Sequence, residues 1–137
     1  MDTDKSEILK SFLDEKLDKI NQITEKIIGC SYTASNTLGC GFLEKVYENA
    51  LAHELRKTGL KVSQQYEIEV YYDGVVVGKY IADLFVEDSV IVEVKANSGL
   101  DDSQKAQCLN YLKATKLRIG LLINFGKPRI EIKRVAL

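Results

Sequence analysis

Residues 90–95 read VIVEVK, an apolar run that carries one acid, Glu93, and one base, Lys95. An apolar run of this length between polar turns predicts a buried β-strand, in which alternate side chains point to opposite faces of the sheet. Glu93 and Lys95 therefore share one face with Ile91. Burying two charged groups is costly unless they are paired or bind a ligand, so the sequence predicts a chemical role for this strand.

A second acid, Asp83, lies in the preceding apolar run, which predicts a strand at about 75–86. The polar turn at 87–89 would bring Asp83 directly opposite Glu93, where Cβ atoms lie about 4.5–5.5 Å apart. Two carboxylates this close repel each other unless a cation lies between them, and Mg²⁺ is held in this way. The alternative is an ion-pair network of Asp83, Glu93 and Lys95 without a metal.

The remaining chain predicts an α/β fold, a mixed sheet flanked by helices in the order α-α-β-β-β-α-β-β. Because a helix connects the third and fourth strands, these two are expected to be parallel. The predicted helices span about 5–34, 42–58 and 102–116, and the predicted strands span about 62–72, 75–86, 90–95, 118–124 and 129–135.

The 137 residues suit one domain, 1–137, with an N-terminal helical extension at about 1–38. The chain is 45% hydrophobic and 28% charged, as a globular protein is. The N-terminus is acidic and no apolar run approaches the roughly 20 residues of a membrane span. We therefore expect a cytoplasmic protein without a membrane partner.

The charge is unevenly distributed, although the formal net charge is only −1. Residues 113–137 carry seven bases and one acid, Glu131, which gives this segment +6 and leaves −7 for residues 1–112. A basic segment can contact the phosphates of a nucleic acid. The alternative is an ordinary solvated surface.

The first helix has one apolar face, formed by residues at three- and four-residue steps. This face can pack on the sheet of its own chain or against a second copy, which would make a homodimer. The residues that form it are Ile8, Leu9, Phe12, Leu13, Leu17, Ile20, Ile23 and Ile27.

Two motifs carry a resemblance to a known family. Asp83 followed by residues 93–95, EVK, resembles the D…ExK signature of the PD-(D/E)XK nuclease superfamily. Residues 41–47, GFLEKVY, read G-x-x-E-x-x-Y, and residues 20–135 are similar to the GxxExxY protein family, a bacterial and archaeal group of that superfamily. The chain departs from these patterns at Cys40 and Ala82, where proline is common, and neither departure removes a site residue.

The resemblance implies a restriction-endonuclease-like core and hydrolysis of phosphodiester bonds in DNA or RNA with Mg²⁺, for which Mn²⁺ can substitute. It implies that Asp83, Glu93 and the backbone carbonyl of Val94 bind the metal and that Lys95 is catalytic. Glu44 matches the additional acid that many members direct at the metal. Glu44 can also be an exposed acid favoured by the helix dipole.

Gln107 and Tyr111 match a Q-x-x-x-Y pattern of RecB-type nucleases. Their spacing puts both on one face of the third helix, where the resemblance implies that they contact substrate or support Lys95. The competing hypothesis for the whole chain is a non-catalytic module of the same fold that binds nucleic acid or protein, because fold does not determine function.

Overall fold

The computed structural model describes residues 2–137, with side chains described from Asp4 onward. Within these residues, three helices flank one five-stranded mixed sheet, and the order of elements is the predicted one. The first helix continues beyond its predicted end at residue 34 and stops before Gly39, whose φ is +71°. The elements are α1 (Asp2–Leu38), α2 (Glu44–Lys57), β1 (Val62–Tyr72), β2 (Val75–Val86), β3 (Val90–Lys95), α3 (Asp102–Thr115), β4 (Ile119–Asn124) and β5 (Glu131–Ala136).

The sheet has the strand order β1-β2-β3-β4-β5. β3 and β4 are parallel, with Glu93 beside Leu122 and Lys95 beside Asn124, and the other neighbouring strands are antiparallel. The parallel pair confirms the prediction made from the helix between them, since parallel strands require a crossover connection. β3 is the central strand, so its two charged residues lie within the sheet and not at its edge.

The sheet is covered on both faces, by α1 and α2 on one side and by α3 on the other. Val90, Val92 and Val94 belong to the core on the α1/α2 side, whereas Ile91 belongs to the core on the α3 side. Alternation along β3 therefore puts Glu93 on the α3 side. Residues 90–94 are all buried, which makes Glu93 an acid in a doubly covered strand.

β2 breaks its regular alternation at Asp83. Ala82 and Phe85 both pack on the α3 side, whereas strict alternation would put them on opposite faces. The ladder with β1 omits the pair Gln65–Asp83, and Gln65 has a left-handed backbone with φ of 52°. The ladder between β2 and β3 runs from Val86 to Leu84 and does not include Asp83. Asp83 consequently lies where β2 has no regular ladder partner on either side.

Two features fix α3 on the sheet. Asp101 and Gln104 form a capping box, in which each side chain accepts a hydrogen bond from the other residue's backbone N–H. Gly120 of β4 allows the helix to approach closely, because a Cβ at this position would lie 2.7 Å from Cys108 Sγ. The position of α3 matters for the site because α3 carries Gln107 and Tyr111.

The first half of α1 is uncovered. Residues 4–19 are all exposed, whereas Ile20 and Ile27 of the second half pack in the core. The expectation that the apolar face packs on its own sheet is right for the second half and wrong for the first. The exposed apolar stripe consists of Ile8, Leu9, Phe12, Leu13 and Leu17, at 39–69% exposure.

No helix in the described part of the chain has the length and hydropathy that a membrane crossing requires.

Candidate active site

Asp83 and Glu93 lie side by side where β2 separates from β3. Continuing the ladder beyond Leu84 and Val92 brings Asp83 opposite Glu93, as the three-residue turn predicts. The Asp83 carboxylate accepts a hydrogen bond from the Val94 backbone N–H at 2.8 Å, so it takes over a bond that the regular ladder no longer makes. The Asp83 backbone N–H in turn lies 3.4 Å from Glu93 Oε1.

The two carboxylates are poorly compensated. Burial and then the charge of Asp83 raise the pKa of Glu93 to about 7. Burial also raises the pKa of Asp83, and the hydrogen bond from Val94 offsets only part of this effect. Both shifts mean that the ionised forms lack enough positive charge around them. A bound cation would supply that charge.

Lys95 is near these carboxylates but does not pair with them. Its charge lowers the pKa of both Asp83 and Glu93, yet in the described chain Lys95 makes no ion pair within 4 Å. The ion-pair network that the spacing also allowed thus lacks its direct contacts. The half-buried Lys95 ends β3, and its backbone carbonyl accepts a hydrogen bond from the Phe125 N–H at 2.8 Å.

α2 directs a further acid, Glu48, toward the site. Glu48 is only 3% exposed, and its Oε1 accepts a hydrogen bond from Gln65 Nε2 at 2.6 Å. The same Gln65 amide lies 3.4 Å from Asp83 Oδ1, so Gln65 links the two acids. The charge of Glu48 is also one cause of the raised pKa of Asp83. The one sequence signal for Glu48 is its place on the apolar face of α2, between Tyr47 and Leu51.

Glu44, the acid that the resemblance implied, begins α2 and is exposed. Among the described residues, it makes no hydrogen bond or ion pair with Asp83, Glu93 or Lys95. Its position in the first turn is the one that the helix dipole favours for an acid. Glu44 and Glu48 lie one turn apart on the same side of the helix, so their spacing alone does not separate them.

Gln107 and Tyr111 lie together on α3, and Gln107 Nε2 donates a hydrogen bond to the Tyr111 hydroxyl at 3.0 Å. The Tyr111 ring stacks nearly parallel on Tyr80 of β2, at an interplanar angle of 9°. The Tyr80 hydroxyl donates to Glu93 Oε1. This chain of contacts leads from α3 to Glu93 and not to Lys95. Burial and the charge of Glu93 raise the pKa of Tyr80, so its hydroxyl stays a donor.

Asn124, a fully buried residue of β4, fixes the chain after β3. Its Oδ1 accepts hydrogen bonds from the backbone N–H groups of Asn97 at 3.1 Å and Gly126 at 3.0 Å, and its Nδ2 donates to the Asn97 carbonyl at 3.0 Å. A Cβ on Gly126 would lie 2.3 Å from that carbonyl oxygen. Because Asn124 is beside Lys95 in the ladder, this network holds the segment that follows the lysine. Its sequence signal is a polar residue that ends an apolar strand.

The donor chemistry of the site fits a small hard cation. The described residues contain no group of three or more His, Cys, Asp or Glu side chains placed to hold a metal ion. The candidate donors are the Asp83 and Glu93 carboxylates, and the Val94 carbonyl stays the predicted third donor. Mg²⁺ is commonly held by one or two carboxylates together with water and substrate phosphate, whereas a structural zinc site needs four Cys or His ligands.

The mixed sheet and the crossover helix define an α/β domain that carries two acids at the break in β2. A sequence model of the PD-(D/E)XK nuclease superfamily matches residues 21–135, and the chain belongs to this superfamily. The crystal structure of SSO0001 has a similar fold, with a TM-score of 0.53 and 21% identity over 89% of this chain. The match spans 61% of the length of SSO0001. A search of curated proteins found no match.

Proposed function

We propose that the protein is a nuclease that uses Mg²⁺, or Mn²⁺ in its stead, to hydrolyse phosphodiester bonds of DNA or RNA. The observation that carries this proposal is the pair of poorly compensated carboxylates, the half-buried Asp83 and the buried Glu93. Lys95 lies nearby and makes no ion pair with any described residue. Membership of the superfamily supports the same class of reaction.

Each residue has a distinct role in this proposal. Asp83, Glu93 and the Val94 carbonyl hold the metal, which when bound polarises a phosphoryl oxygen and lowers the pKa of a water molecule. The Lys95 ammonium stabilises the negative charge that develops on the phosphate. Glu48 acts as the additional acid through its link to Asp83.

The basic C-terminal segment supplies the proposed contacts with substrate. Six of its seven bases are exposed. Arg134 donates to Asn21 Oδ1 at 2.6 Å, and the other five are available to phosphates. Lys133 is beside Leu122, which is beside Glu93, so the three residues form one row across the sheet. Adjacent strands lie about 4.8 Å apart, so the Lys133 backbone is roughly 10 Å from that of Glu93. A nucleic-acid strand along β5 could therefore reach the carboxylates.

A cleavage assay tests the proposal. Labelled single- and double-stranded DNA and RNA are incubated with wild-type protein, Lys95→Ala and Asp83→Asn, with Mg²⁺ or with EDTA. We expect cleavage that EDTA abolishes and that each substitution lowers by about 100-fold or more. Equal cleavage by wild-type protein and Lys95→Ala would overturn the proposal. Binding of nucleic acid or protein without any cleavage would favour the non-catalytic module.

We further propose that the chain is a GxxExxY member of the superfamily. Within residues 41–47, Gly41 has a φ of +105°, a conformation that favours glycine. Tyr47 is fully buried, its hydroxyl donates to the Gly39 carbonyl, and its ring stacks on Phe125 at 4.8 Å. The glycine and the tyrosine of the motif thus have structural reasons to be present at the turn between α1 and α2. A cytoplasmic location stays a prediction.

We also infer that the exposed first half of α1 binds a second copy of the chain. The stripe from Ile8 to Leu17 continues a face that is buried from Ile20 onward, and a contiguous exposed apolar face of this kind marks an interaction surface. Residues 4–19 carry four lysines and five acids. This mixture suits a self-complementary partner better than an anionic membrane surface. The superfamily match begins only at residue 21, after this segment.

A further inference from the structure

Tyr80 makes the one side-chain hydroxyl contact to the proposed metal ligands in the described structure. Its hydroxyl donates to Glu93 Oε1, and the backbone N–H of Asp83 lies 3.4 Å from that same oxygen. Glu93 Oε2 accepts no hydrogen bond from any described residue. One oxygen of the carboxylate is therefore occupied by the protein, and the other is left for a ligand.

The Tyr80 ring is held in place from α3. It stacks nearly parallel on Tyr111, whose hydroxyl accepts the hydrogen bond from Gln107. The packing of Cys108 against Gly120 and the burial of Leu112 fix the helix itself. The position of the Tyr80 ring, and with it the hydroxyl, is therefore set by contact with α3 as well as by its own strand.

We propose that Tyr80 is a positioning residue that restricts Glu93 to one ligating oxygen and so makes the site prefer Mg²⁺ and Mn²⁺ over Ca²⁺. Ca²⁺ accepts six to eight oxygen ligands and often binds both oxygens of a carboxylate, whereas Mg²⁺ requires a compact octahedral shell and retains its waters. Because Glu93 Oε1 already accepts from the Tyr80 hydroxyl and the Asp83 N–H, it is the poorer metal ligand of the two oxygens, which disfavours the two-oxygen mode. This inference rests on the proposed metal site.

The experiment measures the affinities of Mn²⁺ and Ca²⁺ by calorimetry for wild-type protein, Tyr80→Phe and Tyr71→Phe. Tyr80→Phe keeps the ring and its stacking partner and loses only the hydroxyl. Tyr71→Phe is the matched control, because Tyr71 donates to Glu69 at 2.6 Å in the exposed part of the same hairpin. Removing a group that orients a metal ligand typically weakens metal binding by 10- to 100-fold. We expect Tyr80→Phe to lower the preference for Mn²⁺ over Ca²⁺ by about 10-fold and Tyr71→Phe to leave it unchanged.

The ratio of the two affinities separates positioning from folding, because partial unfolding lowers the number of sites for both ions equally. An unchanged ratio in Tyr80→Phe overturns the role of Tyr80 and leaves the metal site standing. Failure of the wild-type protein to bind either ion overturns the metal site, and the role of Tyr80 with it. A second measurement uses wild-type protein alone: the Tyr80 hydroxyl proton should persist in the NMR spectrum when Mg²⁺ saturates the protein, and its loss would contradict the proposal.

Discussion

Glu93 is the residue at which burial and charge conflict most directly. It is 9% exposed, its neighbour Asp83 is also an acid, and Lys95 does not contact it directly. A buried carboxylate in these surroundings becomes neutral by taking up a proton or is compensated by a cation. With a pKa of about 7, Glu93 is divided between its protonated and ionised forms near neutral pH, and a cation that binds the ionised form competes with the proton.

This competition predicts how stability depends on pH in metal-free buffer. The pKa of Glu93 is raised from 4.5 to about 7 on folding, so the folded protein binds the proton more tightly than the unfolded chain does. The free energy of unfolding should therefore fall as pH rises from about 4.5 to about 7, by on the order of 3 kcal/mol. Glu93→Gln, which is neutral throughout, should remove most of this fall.

Urea unfolding across this pH range measures the effect. Glu25→Gln, the same change at an exposed position in the second half of α1 and outside the proposed dimer interface, serves as the control and should retain the wild-type slope. An identical decline in wild-type protein and Glu93→Gln would show that Glu93 is not the titrating group. Added Mg²⁺ should restore stability above pH 7 in the wild-type protein only, because the variant lacks the carboxylate that compensates the cation.

Glu48 and Glu44 form a matched pair for a second prediction. Glu48 is buried and linked through Gln65 to Asp83, whereas Glu44 is exposed one turn earlier. Glu48→Gln should lower cleavage by about 10-fold or more, as is typical of groups that orient metal ligands. Glu44→Gln should change it by less than about twofold. Cleavage rates at saturating Mg²⁺ decide the matter, and the reverse order would restore Glu44 as the additional acid.

The residues differ in how far the sequence reveals them. Asp83 and Glu93 were predictable as neighbours because a short turn fixes the register between two apolar strands. Glu48 was not predictable as a site residue, because its link to the site depends on Gln65. Gln65 has a left-handed backbone conformation, which no local sequence pattern predicts for glutamine. Tyr80 was not predictable either, because its contact with Glu93 depends on where α3 packs.

At the scale of elements, the contact between α3 and β4 sets the position of α3 and therefore of Tyr111, which packs on Tyr80. A Cβ on Gly120 would lie 2.7 Å from Cys108 Sγ, so in Gly120→Ala either the Cys108 side chain must change rotamer or α3 must move away from the sheet. Overpacking of this kind costs about 1–3 kcal/mol. The Tyr111–Tyr80 stack, which depends on the position of α3, should loosen as well.

A double-mutant cycle in thermal and urea unfolding tests this packing. Cys108→Ala removes the sulfur that the new methyl group would meet, so the double variant Gly120→Ala, Cys108→Ala should be more stable than the sum of the single changes predicts. Gly78→Ala, in a part of β2 where the new Cβ meets nothing within 4 Å, is the control. Strict additivity would show that the two residues do not meet.

The order of the elements and the parallel pair were predictable because they follow from periodicity and from the crossover rule. The break in β2 was not, since residues 75–86 read as one continuous strand in the sequence. The exposure of the first half of α1 was not predictable either. Its apolar residues repeat as regularly before Ile20 as after it, so the pattern shows that a face is apolar without showing what covers it.

At the scale of the whole molecule, α1 is long for a domain of this size. Its 37 residues extend about 55 Å at 1.5 Å per residue, and only the second half packs on the sheet. If two copies pair their exposed halves antiparallel about residues 12 and 13, Ile8 of one copy faces Leu17 of the other. The same arrangement brings Lys10 near Glu15, so charge as well as apolar surface is matched.

This arrangement predicts a dimer of twice the 15.4 kDa chain mass in light scattering. Phe12→Glu puts a charge at the centre of the stripe and should give a monomer, because an unpaired charge buried between two helices is strongly unfavourable. Ser11→Glu puts the same charge one residue away, off the stripe, and should leave the dimer intact. Cleavage per chain should survive Phe12→Glu, since the site lies within one chain. A wild-type mass of one chain at high protein concentration would exclude the second copy and leave this face to a different partner.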